Sequence, residues 1–266
     1  MNVIPLSTPD LLLAAVLVLA LATVTAHLQL RLGKPIIIAA VRTAIQLLLV
    51  GLVLRALFSH AQWYWVALMS IIMLLVASRE VAVRQERGPG RRWAFGASAT
   101  TMFISSFALT GFALSVVIGV DPWYAPRYAI PLLGMLLGNT MTGVTLAMSD
   151  MTQCAWQQRL VIEQRLLLGA NRNEAIEDIR RQSARTGMIP TINAMAAAGI
   201  VSLPGMMTGQ LLAGSSPYDA VRYQILIMFL IAASTGFAVL MVQWLVARQL
   251  FDERERLRLD RLTLRG

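Results

Sequence analysis

Seven apolar runs, at about 10 to 30, 36 to 58, 62 to 78, 96 to 119, 128 to 149, 190 to 213 and 222 to 247, take up most of the chain. Crossing about 30 Å of hydrocarbon takes roughly 20 apolar residues of helix. In lipid, only helices and closed barrels satisfy every backbone polar group. The expectation is therefore an all-α, polytopic membrane helix bundle of about seven transmembrane helices. The third run is the shortest, with Trp63, Tyr64 and Trp65 at one end, an aromatic cluster suited to a membrane interface. Composition agrees: of 266 residues 57% are hydrophobic and only 14% charged, against about 25% charged in a soluble domain.

The basic residues set an orientation. Of the 23, only Lys34 is a lysine, and they fall in blocks between the apolar runs. If odd-numbered runs cross from outside to inside, Arg31, Lys34 and Arg42 lie inside, followed by Arg79, Arg84, Arg87, Arg91 and Arg92. Inside too lie Arg159, Arg165, Arg172, Arg180, Arg181 and Arg185, then Arg248, Arg254, Arg256, Arg258, Arg261 and Arg265. Only Arg55, Arg127 and Arg222 stay outside. Basic loops remain in the cytoplasm, so the N-terminus is expected outside and the C-terminus inside, in a bacterial inner membrane. The charge is thereby explained by topology, and no nucleic-acid partner is expected. The first run lacks a basic leader and is expected to be a retained span.

Residues 1–247 are expected to form a transmembrane permease domain that includes a cytoplasmic segment at about 150–189. Residues 248–266 then form a basic cytoplasmic tail. With six arginines against Asp252, Glu253, Glu255 and Asp260, the tail reads as a solvated helix at the lipid boundary.

A catalytic centre is not expected. One cysteine, Cys154, and two histidines, His27 and His60, leave no donor set for a metal, and no base cluster accompanies them. There is no phosphate loop of the Gly-x-x-x-x-Gly-Lys-Ser/Thr type. The chain is read as a non-enzyme with no bound cofactor; any ATP and Mg belong to a separate subunit.

In the cytoplasmic segment, Glu163 is followed six residues later by Gly169 and ten after that by Ile179, with Leu166, Leu167, Leu168 and Ala170 between. Glycine permits the left-handed geometry that reverses a chain, so two short helices at an angle are expected. Leu166, Leu167 and Leu168 would supply apolar contact to a partner groove. The spacing resembles the coupling motif of ATP-binding-cassette permeases. It departs from that motif at Gln164 and Arg165, where small residues are usual, and at Arg181 and Gln182, where Leu-Pro is usual.

Longer strings carry a second resemblance. Residues 199–209, containing Ser202-Leu203-Pro204-Gly205-Met206-Met207, are similar to the signature of FetB-type permeases, bacterial exporters linked to iron with plant relatives linked to aluminium tolerance. Residues 219–225, Ile130 to Met135 with Gly138-Asn139, and Arg42 with Gln46-Leu47 match in order. The resemblance implies a homodimer that binds two copies of a cassette ATPase subunit and exports iron or another metal-related substrate, with a role in metal homeostasis under oxidative stress.

Candidate path residues follow from polarity in the spans. Pro204, flanked by Gly199, Gly205 and Gly209, predicts a kink or break at about 202 to 206. A broken helix is tolerated in a membrane where protein or water satisfies the freed groups, so Ser202, Pro204, Gly205, Met206 and Met207 are candidates for the path or its gate. A packing kink is the alternative; the two methionines read first as core fillers. Asn139, Thr140, Asn193, Arg42 and Gln46 join the set because intramembrane polar groups need partners, though Arg42 reads first as a side chain that snorkels to the inner surface. Gly134, Gly138 and Gly143 predict a close helix contact. Carboxylates within the spans are missing, Asp10 and Asp150 standing only at edges, which weighs against an ion-coupled secondary transporter. That reading and a non-transporting membrane scaffold remain the alternatives.

Overall fold

A computed structural model describes residues 7–30, 32–59, 62–85 and 87–264. Arg31, His60 and Arg265 lie outside the described residues. The architecture is all-α, and among the described residues six helical stretches are long and apolar enough to cross a membrane. The chain divides into two compact units, Met1–Gln62 with Leu212–Ser215, and Trp63–Leu211 with Ser216–Gly266.

The first unit is a helical hairpin. Helix α1 (Thr8–His27) packs on α2 (Gly33–Ser59). The approach is closest at Gly33, where an added Cβ would stand 2.9 Å from the Ala22 carbonyl oxygen. Among the described side chains of α1 only Ala22 and Thr25 are buried, and from Lys34 to Arg55 none of α2 is. In a membrane such faces are solvated by lipid tails.

The second unit is a packed bundle. Helix α3 (Trp63–Arg84) is a full 22 residues, longer than its apolar run, and leads through a two-residue strand, β1 (Arg87–Gly88), into the fourth span. That span, Arg91–Val117, is not uniform: α4 (Arg91–Met102) and α5 (Ala108–Phe112) alternate with two π-helical turns, Phe103–Phe107 and Ala113–Val117. Helix α6 (Pro126–Gln157) runs 32 residues with Pro131 inside it. Three further helices follow, α7 (Arg159–Leu167), α8 (Arg172–Ala175) and α9 (Glu177–Ala197), then α10 (Gly205–Leu212) and the 34-residue α11 (Pro217–Leu250).

Helices α6, α9 and α11 form the centre, and glycine lets them meet. A Cβ on Gly143 would lie 2.5 Å from Thr235 Cγ2 and 3.0 Å from the Gly187 carbonyl oxygen; one on Gly187 would lie 2.9 Å from Ala147 Cβ. Small residues are what membrane helices need for van der Waals packing without a hydrophobic drive. Of the three glycines expected at a close contact, Gly143 is the one at this crossing. Gly134 faces only the flexible end of Met73, and Gly138 is open. Where the first π turn, α6 and α11 meet, the fully buried hydroxyls of Ser106, Thr140 and Ser234 form a triangle with sides of 3.5, 3.1 and 2.9 Å.

Two expectations change. The run at 190 to 213 is not one helix: it is divided between α9 and α10, so the long apolar helices among the described residues number six. The tail is not a solvated helix. Its first residue past α11, Phe251, and later Leu262 are buried in the core, and it closes as a second strand, β2 (Thr263–Leu264), antiparallel to β1. The reason lies in Asp252. Its carboxylate accepts from the Arg254 and Arg256 backbone amides and from Arg256 Nε, each at 2.9 Å, folding the chain into a loop. Such local side-chain bonds compete with helix formation.

Candidate functional site

The region between α6 and α9 is a knuckle held from both sides. At the end of α7 the chain reverses through Gly169 at φ +92, with the Ala170 amide donating to the Arg165 carbonyl and the Gly169 amide to the Leu166 carbonyl, both at 3.0 Å. This is the six-to-one closure that glycine makes at helix ends. Asn171 then starts α8: its side chain accepts from the Asn173 and Glu174 amides, while the Glu174 carboxylate accepts from the Asn171 amide at 2.9 Å. Reciprocal capping of this kind fixes a helix start. Arg165 donates to Asp178 at 2.8 Å, tying the first short helix to α9.

Ile162, Ala175, Ile176 and Ile179 are buried and seat the knuckle on the bundle. Ile179, expected at the coupling contact, is thus a core residue. The tip is the reverse: Leu167 is 87% and Leu168 89% exposed, with Glu163 and Gly169 beside them in solvent and Leu166 half-buried. A groove of about 610 Å³ opens here, walled on one side by Glu163, Leu166, Leu167 and Ala170 and on the other by the tail from Arg254 to Leu257. The Glu255 carboxylate accepts from the Arg172 amide at 3.3 Å, which latches the tail onto the start of α8. Arg256 beside Asp252, chiefly through its backbone amide, holds that carboxyl below the ordinary carboxylate range.

The second candidate region is the break. Helix α9 ends at Ala197, and Ala198 to Pro204 form a tight irregular turn in which Gly199 takes φ +81. The Ala197 carbonyl accepts from the Val201 and Ser202 amides at 3.0 and 3.1 Å, and the Gly199 amide donates to the Ser202 carbonyl at 2.9 Å. The interruption therefore begins a few residues before the expected 202 to 206. Pro204 stands just outside α10, with its carbonyl accepting the Thr208 amide. Ile200 and Val201 are 88% and 83% exposed; Ser202 and Gly205 are exposed, while Met206 and Met207 are half-buried.

The remaining path candidates separate. Thr140 belongs to the buried hydroxyl triangle, whereas its neighbour Asn139 is exposed and donates to the Met135 carbonyl at 2.8 Å. Asn193 is exposed on α9. Because α6 and α9 cross at Gly143 and Gly187, the two asparagines lie about 6 and 9 Å along their helices from the crossing, on the same side of it. Arg42 and Gln46 are exposed on α2 in the other unit. Among the described residues no group of three or more His, Cys, Asp or Glu lies together. Sequence reading missed Ser106, Ser234 and the tail loop; the one signal available was the polar doublets Ser105-Ser106 and Ser234-Thr235 inside apolar spans.

Comparison with known proteins covers nearly the whole chain. The model of the uncharacterised protein family UPF0014 matches residues 8–251. The chain is 41% identical to the UPF0014 membrane protein slr1647 of Synechocystis over 216 residues, 81% of this chain and 83% of that one. It is 32% identical over 262 residues, 97% of each chain, to the probable iron export permease protein FetB of Escherichia coli. It is 31% identical to the protein ALUMINUM SENSITIVE 3 of Arabidopsis thaliana, over 84% of this chain and 80% of that one. No solved structure matches. A family match over nearly the whole length, joined to six apolar helices, makes this chain a membrane protein of the UPF0014 family.

Proposed function

We propose that the chain is the membrane-spanning permease subunit of an ATP-binding-cassette exporter, working as a homodimer with two copies of a separate ATPase subunit. The observation that carries the reading is the knuckle: two leucines held almost fully in water on a base that is capped, ion-paired and seated by three buried isoleucines. Exposed apolar tips on rigid supports are what a partner groove binds. The relative named as a probable iron export permease, matched over 97% of both chains, supports transport and points to iron or another metal-related substrate.

In this reading the arginine-rich end faces the cytoplasm, and α9 with α10 cross together as a broken seventh span. That keeps the N-terminus outside and the C-terminus inside a bacterial inner membrane. ATP and Mg bind the partner. Closing of the ATPase pair presses on the 158 to 176 knuckle, and α6 and α9, which emerge from it, carry the displacement to the break at 198 to 204. The driving force is the difference in ATP affinity between the two states of the complex. The exposed Asn139, Asn193 and Ser202, polar groups on surfaces otherwise fit for lipid, would line the path where the second copy covers them.

The test is vesicle-reconstituted permease with its ATPase, assayed for metal-stimulated hydrolysis and ATP-driven movement of iron. Gly169→Pro and Glu163→Arg are expected to cut transport at least about tenfold while the bundle keeps its helicity and unfolding temperature. Normal transport by both variants sinks the coupling assignment. Gradient-driven movement by the permease alone would install the ion-coupled carrier instead, and hydrolysis that no substrate stimulates would leave a scaffold.

A further inference from the structure

We infer that the groove between α3 and α4 at the arginine-rich end of the bundle is a binding site for an anionic phospholipid. The groove has a volume of about 690 Å³, and its walls combine three guanidinium groups, Arg79, Arg91 and Arg92, with Leu75, Val76 and Phe95. All three arginines are exposed, and Leu75 and Val76 are 45% and 46% exposed, so the apolar wall is open rather than packed.

The order of these groups along the membrane normal decides the ligand class. On α3, Leu75 and Val76 lie one turn before Arg79; on α4, Phe95 lies one turn after Arg91 and Arg92. The two helices run antiparallel and are joined where the Ser98 hydroxyl meets the Ser78 carbonyl at 3.3 Å. Within each helix the apolar side chains stand about one turn, roughly 5 Å, further from the water than the arginines; across the groove, the order from bilayer to water is Leu75 and Val76, then Arg79 and Phe95, then Arg91 and Arg92 at the watery end. Counting from the aromatic cluster at Trp63, Arg79 stands about 24 Å along α3, near the far edge of the hydrocarbon. An amphiphile with an acyl chain and an anionic head matches that order; a free phosphate or a nucleotide would leave the apolar wall without an occupant.

Electrostatics points the same way. Arg79 lies 3.8 Å from Glu80, a long ion pair that Arg84 shares at the same distance, but Arg91 and Arg92 make no ion pair among the described residues. They sit in the first turn of α4, which has no acidic residue and no capping side chain at Gly90. Positive charge at the positive end of a helix dipole is unfavourable, and a phosphate headgroup in the groove offsets it. Basic pockets between membrane helices on the cytoplasmic side bind anionic lipid headgroups on these terms.

The experiment is native mass spectrometry of the detergent-purified permease titrated with phosphatidylglycerol and with phosphatidylcholine of the same chains. The wild type is expected to bind the anionic lipid at least about tenfold more tightly. Arg79→Gln/Arg91→Gln/Arg92→Gln should abolish the preference, while the charge-matched control Arg159→Gln/Arg185→Gln/Arg254→Gln keeps it. Equal loss in the control, or no loss in the groove variant, overturns the assignment. So does displacement of the lipid by millimolar inorganic phosphate, which would mark a free-anion site. Should the groove variant fail to fold, photoactivatable phosphatidylglycerol on the wild type gives the answer: crosslinks confined to residues 71–95 support the site, and crosslinks elsewhere refute it.

Discussion

The knuckle at 158 to 176 and the break at 198 to 204 are two interruptions of helix built from the same opening move and finished differently. Each turns on a glycine of positive φ, Gly169 at +92 and Gly199 at +81, and each ends in exposed apolar side chains. The knuckle is then fastened by side chains: the Asn171 and Glu174 caps, the Arg165 to Asp178 pair and the Glu255 latch. The break is closed chiefly by backbone, with the Ala197 carbonyl taking the Ile200, Val201 and Ser202 amides and the Thr208 hydroxyl alone reaching back to the Pro204 carbonyl at 3.2 Å. In water, side-chain bonds are what hold an exposed turn rigid; in lipid, backbone groups must be satisfied first and ionic fasteners are costly. On the proposed reading, the difference suits one element to transmit force and the other to change shape.

That contrast can be broken most directly at the tips. Leu167→Asp/Leu168→Asp is expected to weaken ATPase binding by tenfold or more, read by pull-down with the purified subunit, while moving the unfolding free energy by less than about 0.5 kcal/mol because both side chains are in solvent. Unchanged binding would remove the reason for the exposed leucines. Gly199→Ala comes next. It places a Cβ at positive φ with open space around it, so the cost is strain alone, about 1 to 2 kcal/mol. With no ionic or capping side chain to hold it, the break should relax, and hydrogen exchange at 198–204 should rise; Gly169→Ala, equally strained, should leave exchange in the fastened knuckle closer to the wild type.

Smaller again is Asn171→Ala, which removes the acceptor for two amides and should cost about 1 kcal/mol, seen as roughly fivefold faster exchange at Asn173 and Glu174. The smallest effect concerns the tail. Asp252 is held below the ordinary carboxylate value, chiefly by the Arg256 amide, so the loop's stabilisation is present above that ordinary value. It fades as pH falls through the lowered one, while the knuckle's glycine closure, which has no titrating group, persists. Exchange measured between pH 6 and pH 3 should show the 252–257 loop opening first.

Much of this is legible in the sequence. Apolar run length located the spans, glycine chemistry located the reversal at 169, and Pro204 with its glycines located the break to within a few residues. What escaped did so for physical reasons. Thr140 and Asn139 are neighbours in sequence, yet helical rotation buries one and exposes the other, so a polar doublet read as one signal was two. The hydroxyl triangle joins residues separated by 34, 94 and 128 positions, a coincidence of packing that no local pattern encodes. The tail's charge ratio suggested a solvated helix because ratio is blind to geometry; one aspartate accepting three bonds settled the matter. Ile179 fitted a motif spacing and turned out to serve the core beneath it.

The π turns of the fourth span carry a consequence for how its sequence can change over time. A π turn closes its ring one residue later than an α turn, so Phe103–Phe107 and Ala113–Val117 each hold a surplus residue that the span does not need for length. Loss of one residue from either turn restores ordinary winding and leaves the flanking faces in register. The same loss in α6 would rotate everything beyond it by about 100° and pull Gly143 out of its crossing. Length variation among related chains should therefore gather at these two turns and avoid α6.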